Sequence, residues 1–303
     1  MSTFDGQKLL QVWQWDSATQ SEATIDDVVR LCLRFGATGM LVKALDGDAW
    51  MYAIEHRDHP GQEGDALSSV DDARRQAEAC HAAGLYYGVW VNPLGRDVEA
   101  EARLAGELAR APEIDALVLD VEPYQGHWGA WRPEGLAREY LERVRALAPD
   151  AYLVLQPDPR PERLAEIRPE EWAPSCNAVS GQHYWGAFGT GVHAELVRGG
   201  ELERVVGLTN YPTLSVGGAT PEQMREAGEL LHTLEYRGAV LWRVGAVDAR
   251  MLEAFCSFRP YVPPASASGL TREELAARAL EIAAWIRKDA EELERIVREI
   301  SAT

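Results

Sequence analysis

Eight short apolar runs, each bounded by turn residues, alternate with amphipathic segments along this chain, and that alternation constrains the fold more than any other feature. The runs are KLLQVWQW (8–15), TGMLVKAL (38–45), LYYGVWVN (85–92), DALVLDVE (115–122), AYLVLQP (151–157), NAVSGQHYW (177–185), RVVGLTNY (204–211) and AVLWRVG (239–245). Between most of them lie segments of helical period, such as IDDVVRLCLRF, VDDARRQAEACHAAG, VEAEARLAGELAR, GLAREYLERVRALA and TPEQMREAGELLHTLEYRG. Apolar runs are read as strands and 3.6-period segments as helices. Strict strand–helix alternation makes successive strands parallel and covers the sheet with helices. Eight such units predict an α/β fold of the (β/α)8, TIM-type barrel class with a long helix at its C-terminal end. A doubly wound open sheet is the main rival, but no GxGxxG follows the first strand.

The 303 residues, 46% of them hydrophobic, suffice for a barrel of about 250 residues and an appendage. The expected division is a barrel over 1–260, a linker over 261–269 in the stretch RPYVPPASASG, and a helix over 270–303. In that helix Leu275, Ala279, Ile282, Ile286, Leu293, Ile296 and Ile300 follow a 4,3 spacing broken at Asp289, which reads as a heptad seam. Folding back on the barrel, homo-oligomer formation and docking to a partner through residues 270–300 all fit it. The segment 46–69 is polar and Gly-rich and is expected to be a loop at the active face, after the second strand.

Composition excludes several functions. With 48 acidic and 30 basic residues the net charge is −18, so a phosphate backbone would be repelled and nucleic acid is not an expected partner. No apolar run is long enough to span a membrane, and MSTFDGQKLL lacks the apolar core of a signal peptide, which points to the cytoplasm. Cys32, Cys80, Cys176 and Cys256 lie far apart with no CxxC pair, as buried free thiols in a reducing compartment would. No cofactor and no metal are expected.

Polar residues collect at the carboxyl ends of the expected strands, the face on which barrels of this type place their chemistry. These are Asp16, Lys43, Asn92, Asp120 with Glu122, Gln156 with Asp158, Gln182 with His183, Asn210 and Arg243. Each taken alone also reads as a helix cap or loop residue. Asp120 and Glu122 are more specific, because residues two apart on a strand face the same side. Two crowded carboxylates raise one pKa and leave a protonated acid beside a charged base, the pair that glycoside hydrolysis requires. A divalent cation site and a solvated strand end are the alternatives.

Ten tryptophans are many for this length. Trp15, Trp90, Tyr124 and Tyr184 are candidates to stack on sugar rings, and Tyr211 to line the same cleft. Trp13 and Trp242 read equally well as core, and His183 as a hydrogen-bonded strand residue.

The motifs QVWQWDSATQ, IDDVVRLCLRFGATGMLVKALDG, LVLDVEP and AVLWRVGAVD, in that order over residues 8–250, resemble the family 25 glycoside hydrolases, lysozyme-type muramidases of phage and bacteria. The chain has Trp-Arg in its last strand where that family usually has Trp-Gln. The resemblance implies a TIM barrel acting on peptidoglycan or another N-acetylated glycan, with Glu122 as proton donor. Asp120 would stabilise the oxocarbenium-like state or orient the acetamido group, and Asp16 would complete the acidic cluster. Lys43, Asn92, Gln156, Gln182, His183, Tyr184, Asn210 and Arg243 would bind substrate hydroxyls or tune the acids. It also implies a phage-encoded protein released by a route that needs no signal. The contrasting expectation is a non-catalytic barrel, a carbohydrate-binding or assembly module, for example in a phage particle.

Overall fold

The computed structural model describes residues 3–15 and 22–262. Asp16 and, from residue 263 onward, the expected linker and C-terminal helix with its heptad seam lie outside the described residues. Strands β1 (Lys8–Val12), β2 (Gly39–Asp46), β3 (Ala49–Trp50), β4 (Tyr86–Asn92), β5 (Ala116–Val121), β6 (Leu153–Pro157), β7 (Ala178–Val179), β8 (Gln182–His183), β9 (Thr213–Ser215) and β10 (Ala239–Trp242) form one sheet. The helices are α1 (Ile25–Phe35), α2 (Met51–Asp58), α3 (Val70–Ala82), α4 (Val98–Ala109), α5 (Leu136–Leu147), α6 (Pro161–Glu166), α7 (Pro169–Trp172), α8 (Trp185–Phe188), α9 (Val192–Val206), α10 (Pro221–Thr233) and α11 (Ala249–Cys256). None of the described helices is long and apolar enough to cross a membrane.

The sheet runs β7-β6-β5-β4-β2-β1-β10-β9-β8, parallel throughout, with β3 antiparallel on β2. It curls so that inward side chains from opposite strands meet: Leu9, Leu41, Trp90, Val118, Val154, Ala178 and Val240 share one buried cluster, under which Phe4 packs edge-on against Tyr86 and Tyr211. This is a TIM-barrel-like arrangement, but the regular ladder does not close as the sequence suggests. The expected sixth strand breaks at Ser180–Gly181. β7 pairs with β6, β8 pairs with β9, and a single bridge, Val179 to Asn210, spans the break. Ser180 and Gly181 offer no apolar side chain to pack, and the Ser180 hydroxyl turns to the Tyr211 carbonyl at 2.6 Å.

Two further expectations are corrected. RVVGLTNY (204–211) is not a strand: α9 runs through Val206 and stops at Gly207, which takes φ 71°, so the Val-Val pair belongs to a helix end. The pairing segment is Thr213–Ser215, kept short by Pro212, which has no N–H to donate. The stretch 46–69 is not a mere loop, since it contains β3 and α2 and buries Met51, Glu55, Glu63 and Leu67.

Local chemistry sets the helix ends. Thr24 and Thr220 form capping boxes with Asp27 and Gln223, while Ser69, Asp97 and Asp248 cap α3, α4 and α11. α1 ends at Gly36 in the left-handed region. The four cysteines are buried free thiols.

Candidate active site

Side chains alternate along a strand, so the strand that sends Ala116 and Val118 into the cluster sends Asp120 inward one step higher. The same parity carries β1 from Leu9 to Gln11, β2 from Leu41 to Lys43, β4 from Trp90 to Asn92, and β6 from Val154 to Gln156. Above the apolar cluster lies a polar layer that crosses the interior. Gln11 Nε2 donates to Gln156 Oε1 at 3.0 Å, Gln156 Nε2 donates to Thr213 Oγ1 at 2.8 Å, and Thr213 and Ser180 share a hydroxyl bond of 2.7 Å.

Over this floor opens a cleft of about 340 Å³, lined by Trp13, Lys43, Asp46, Trp90, Asn92, Asp120, Glu122, Gly126, His127, Gln156, Gln182, Tyr184 and Trp242. At its centre Gln182 Nε2 donates to Asp120 Oδ1 at 2.9 Å and to Glu122 Oε1 at 2.7 Å. Asp120 is 7% exposed. Burial and then the charge of Glu122 raise its carboxyl well above the usual range, against the opposing pull of Lys43 and Gln182. Glu122, just beyond β5, is more open, and the turn behind it is fixed by the Gly129 N–H donating to its carbonyl at 3.0 Å. The same burial and the two acids hold the Tyr184 hydroxyl far above its ordinary pKa.

The facing wall is built from β2 and β4. Lys43 Nζ and Asn92 Nδ2 both donate to Asp46 Oδ1, at 3.1 and 3.0 Å, and the ammonium lies 4.9 Å from the Trp90 ring centroid. Asn92 Oδ1 is buried with no partner among the described residues. Trp90 is held by its indole N–H donating to the Val12 carbonyl at 2.9 Å and meets Trp242 edge-on at 5.6 Å. Trp13 completes the aromatic wall, 6.4 Å from Trp242. One ligand atom each from Asp120, Glu122 and His127 lie within 4.8 Å of one another, a spacing that fits a cation.

Of the residues expected from the sequence, Lys43, Trp90, Asn92, Asp120, Glu122, Gln156, Gln182 and Tyr184 meet in this cleft. Others do not. Trp15 is buried, its backbone N–H bound by Glu55 at 3.0 Å. Tyr124 turns away to donate to Asp158 Oδ2 at 2.6 Å, with Arg160 forked over both, and burial with that bond pushes its hydroxyl up to about 12. His183 and Asn210 are fully buried behind the wall. Asn210 Oδ1 accepts from the Gly181 N–H, which turns its Nδ2 to His183 Nε2 at 3.2 Å, while His183 Nδ1 stands 3.9 Å from Glu195 Oε2. Burial lowers the His183 pKa. Tyr211 belongs to the core, its hydroxyl on Asp5. Arg243 is at the rim, stacked on Trp13 at 4.5 Å.

Asp46 and His127 went unnoticed in the sequence. Asp46 had a signal, since it ends β2 in an Asp-Gly turn on the side where Lys43 was already a candidate. His127 sits in an irregular turn after β5, where no periodicity marks direction.

No family model matches the chain, and no curated protein matches it. Among solved structures it is similar to the endo-β-1,4-mannanase of Thermotoga petrophila, at 10% identity over 84% of this chain and 76% of that one, with a TM-score of 0.60. It is similar also to a chitinase of Rhizomucor miehei, at 11% identity over 84% of this chain and 100% of that one, TM-score 0.56. A class V chitinase of Pseudomonas fluorescens Pf-5 matches at 10% identity over 82% and 98%, TM-score 0.56. At these identities the likeness is one of fold.

Proposed function

We propose that the cleft hydrolyses a glycosidic bond in peptidoglycan or a related N-acetylated glycan, with Glu122 as the proton donor. The observation that carries this reading is the bond of one amide nitrogen, Gln182 Nε2, to both carboxyls of a pair set in an aromatic-walled cleft. Burial and the charge of Glu122 keep a proton on Asp120 at rest, and in this reading it passes to Glu122 as the substrate binds. Glu122, the outer of the two, delivers that proton to the leaving oxygen as the carbon–oxygen bond breaks. Asp120, the inner, stays beside the developing positive charge or orients the acetamido group. Trp13, Trp90 and Trp242 supply faces for the sugar rings.

The arrangement also bears on the nucleophile. In retaining enzymes with two catalytic carboxylates, these stand on opposite sides of the sugar, about 5 to 5.5 Å apart. Two carboxyls two residues apart, one at the end of β5 and one just past it, tied to a single amide, approach from the same side and leave no space for a ring between them. With Asp46 on the facing wall bound by Lys43 and Asn92, we take the nucleophile to be the substrate's own acetamido oxygen, which attacks the anomeric carbon as the aglycone departs. Water later opens that bond and returns a proton to Glu122. This mechanism requires an N-acetylated glycan. The fold shared with a mannanase and chitinases supports the reading without specifying the sugar.

The test is Glu122→Gln, assayed on N-acetylated oligosaccharides and cell-wall glycan with the fold checked by circular dichroism. Loss of turnover with the fold retained is expected. Binding without turnover in the unmutated protein would assign the cleft to glycan binding alone.

A further inference from the structure

Gln182 stands just past the point where the sheet breaks. In a parallel ladder the N–H and carbonyl of one residue bond the carbonyl and N–H that flank its partner on the next strand. Val179 follows this rule: its N–H donates to the Thr209 carbonyl at 3.0 Å, and its carbonyl accepts from the Tyr211 N–H at 2.9 Å. Gly181, the next residue of that parity, keeps half of it. Its carbonyl accepts from the Thr213 N–H at 2.9 Å, but its N–H, which a regular ladder would send to the Tyr211 carbonyl, donates to Asn210 Oδ1 at 3.0 Å. The Tyr211 carbonyl takes the Ser180 hydroxyl at 2.6 Å. The Asn210 side chain thus stands in for the missing rung. Its Nδ2 donates to His183 Nε2 at 3.2 Å, so one fully buried amide grips both the residue before Gln182 and the residue after it. Asn210 is itself fixed, its backbone N–H donating to Glu203 Oε1 at 2.6 Å. Glycine at 181 makes room for this grip, since a Cβ there would meet Leu202 Cδ2 at 2.6 Å and His183 Nε2 at 2.9 Å.

We propose that Asn210, buried behind the cleft wall, is a positioning residue for the acid pair: by holding Gly181 and His183 it sets the backbone from which Gln182 reaches both Asp120 and Glu122. β8 is two residues long, and its register on β9, Gln182 to Thr213 and His183 to Leu214, begins only after the replaced rung. An amide nitrogen that meets two carboxyls at 2.9 and 2.7 Å tolerates little rotation of the peptide that carries it. The bond that limits this rotation on the N–H side of Gly181 comes from a side chain, so a single substitution can remove it. The expected effect on turnover rests on the hydrolase reading of the cleft; the expected effect on the Gln182 amide does not.

The experiment is a double-mutant cycle of Asn210→Ala and Gln182→Ala, with Gly39→Ala, at the start of β2, as the control for lost stability. Asn210→Ala is expected to lower kcat on N-acetylated oligosaccharides about tenfold or more while KM changes less than about twofold. In the Gln182→Ala background it should change kcat by less than about twofold, because the group it acts through is gone. Effects that multiply in the double variant, or a kcat in Asn210→Ala no lower than in Gly39→Ala, overturn the proposal. NMR of the Gln182 side-chain amide, identified by its loss in Gln182→Ala, reads the geometry without turnover. Its protons, shifted downfield by the two carboxyls, should move to the position of a free amide in Asn210→Ala and stay in place in Gly39→Ala. If the unmutated protein turns nothing over, that movement keeps the positioning role and removes the hydrolase reading. An unmoved signal overturns the role whatever the turnover. Should Asn210→Ala not fold, His183→Phe removes the Nε2 half of the grip alone, and an unchanged kcat and amide signal there count against the proposal.

Discussion

Asp120 and Glu122, two residues apart at the end of β5, accept hydrogen bonds from the same nitrogen, Gln182 Nε2, at 2.9 and 2.7 Å. The two acids are thereby one chemical unit, and the amide from β8 sets how they share charge. Removing it in Gln182→Ala takes away a contact that favours the charged form of Asp120. Turnover is expected to fall roughly 10- to 100-fold, and the limb of the pH–rate profile that reports Asp120 to move to higher pH. An unmoved limb with reduced turnover would mean that Gln182 only packs.

The raised pKa of Asp120 has a consequence for stability. The unfolded chain loses this proton near 3.8, while the folded chain keeps it to well above that value. Between those two points the folded state binds the extra proton, so stability falls as pH rises through the window. Asp120→Asn cannot ionise and escapes the loss. Its Tm is expected to exceed that of the unmutated protein at pH 7, with the gap narrowing on acidification and vanishing below about 3.8. Differential scanning calorimetry across pH measures it, and a gap independent of pH would refute the account.

Glu195 is fully buried in α9 and accepts from Thr190 Oγ1 at 2.8 Å while pairing with Arg198. Glu195→Ala leaves that guanidinium without its anion and opens space beside His183. A loss of about 3 kcal/mol in urea denaturation is expected. A loss under 1 kcal/mol would show the site to be wet.

Two strand glycines make a matched comparison. A Cβ on Gly39 would meet the backbone oxygen of Tyr86 at 2.3 Å, whereas one on Gly88 would meet the tip of Leu41 at 2.7 Å. Backbone cannot step aside as a leucine methyl can. Gly39→Ala is therefore expected to cost about 3 kcal/mol and Gly88→Ala about 1 kcal/mol, both read from urea midpoints. The reverse order would mean that β2 and β4 shift as easily as a side chain.

The alternation of runs made the parallel curled sheet legible, and parity along β5 made the acid pair legible, because both rest on period-2 geometry that sequence carries directly. Lys43, Asn92, Gln156 and Gln182 followed from their place at the carboxyl ends of the expected strands. Period-2 reading fails where the chain leaves the strand. Tyr124 stands in a turn whose direction is set by Asp158 and Arg160, partners that no local pattern announces. His183 is one residue from Gln182, so alternation sends it to the opposite side, into the cluster with Asn210 and Glu195. Val205 and Val206 look like strand but lie in α9, because a helix already under way takes β-branched residues at its end with little penalty. Trp13 and Trp15 share a parity, yet only Trp13 reaches the cleft. β1 ends at Val12, and beyond it Glu55 captures the Trp15 backbone.

The hydrogen-bonded layer of Gln11, Gln156, Thr213 and Ser180 separates two compartments with different solvents: hydrocarbon beneath, and a chamber open to water above. Substitutions in the upper chamber can therefore change what is held there without altering the apolar cluster that keeps the molecule folded. A scaffold divided in this way lets ligand preference drift while its apolar packing stays put.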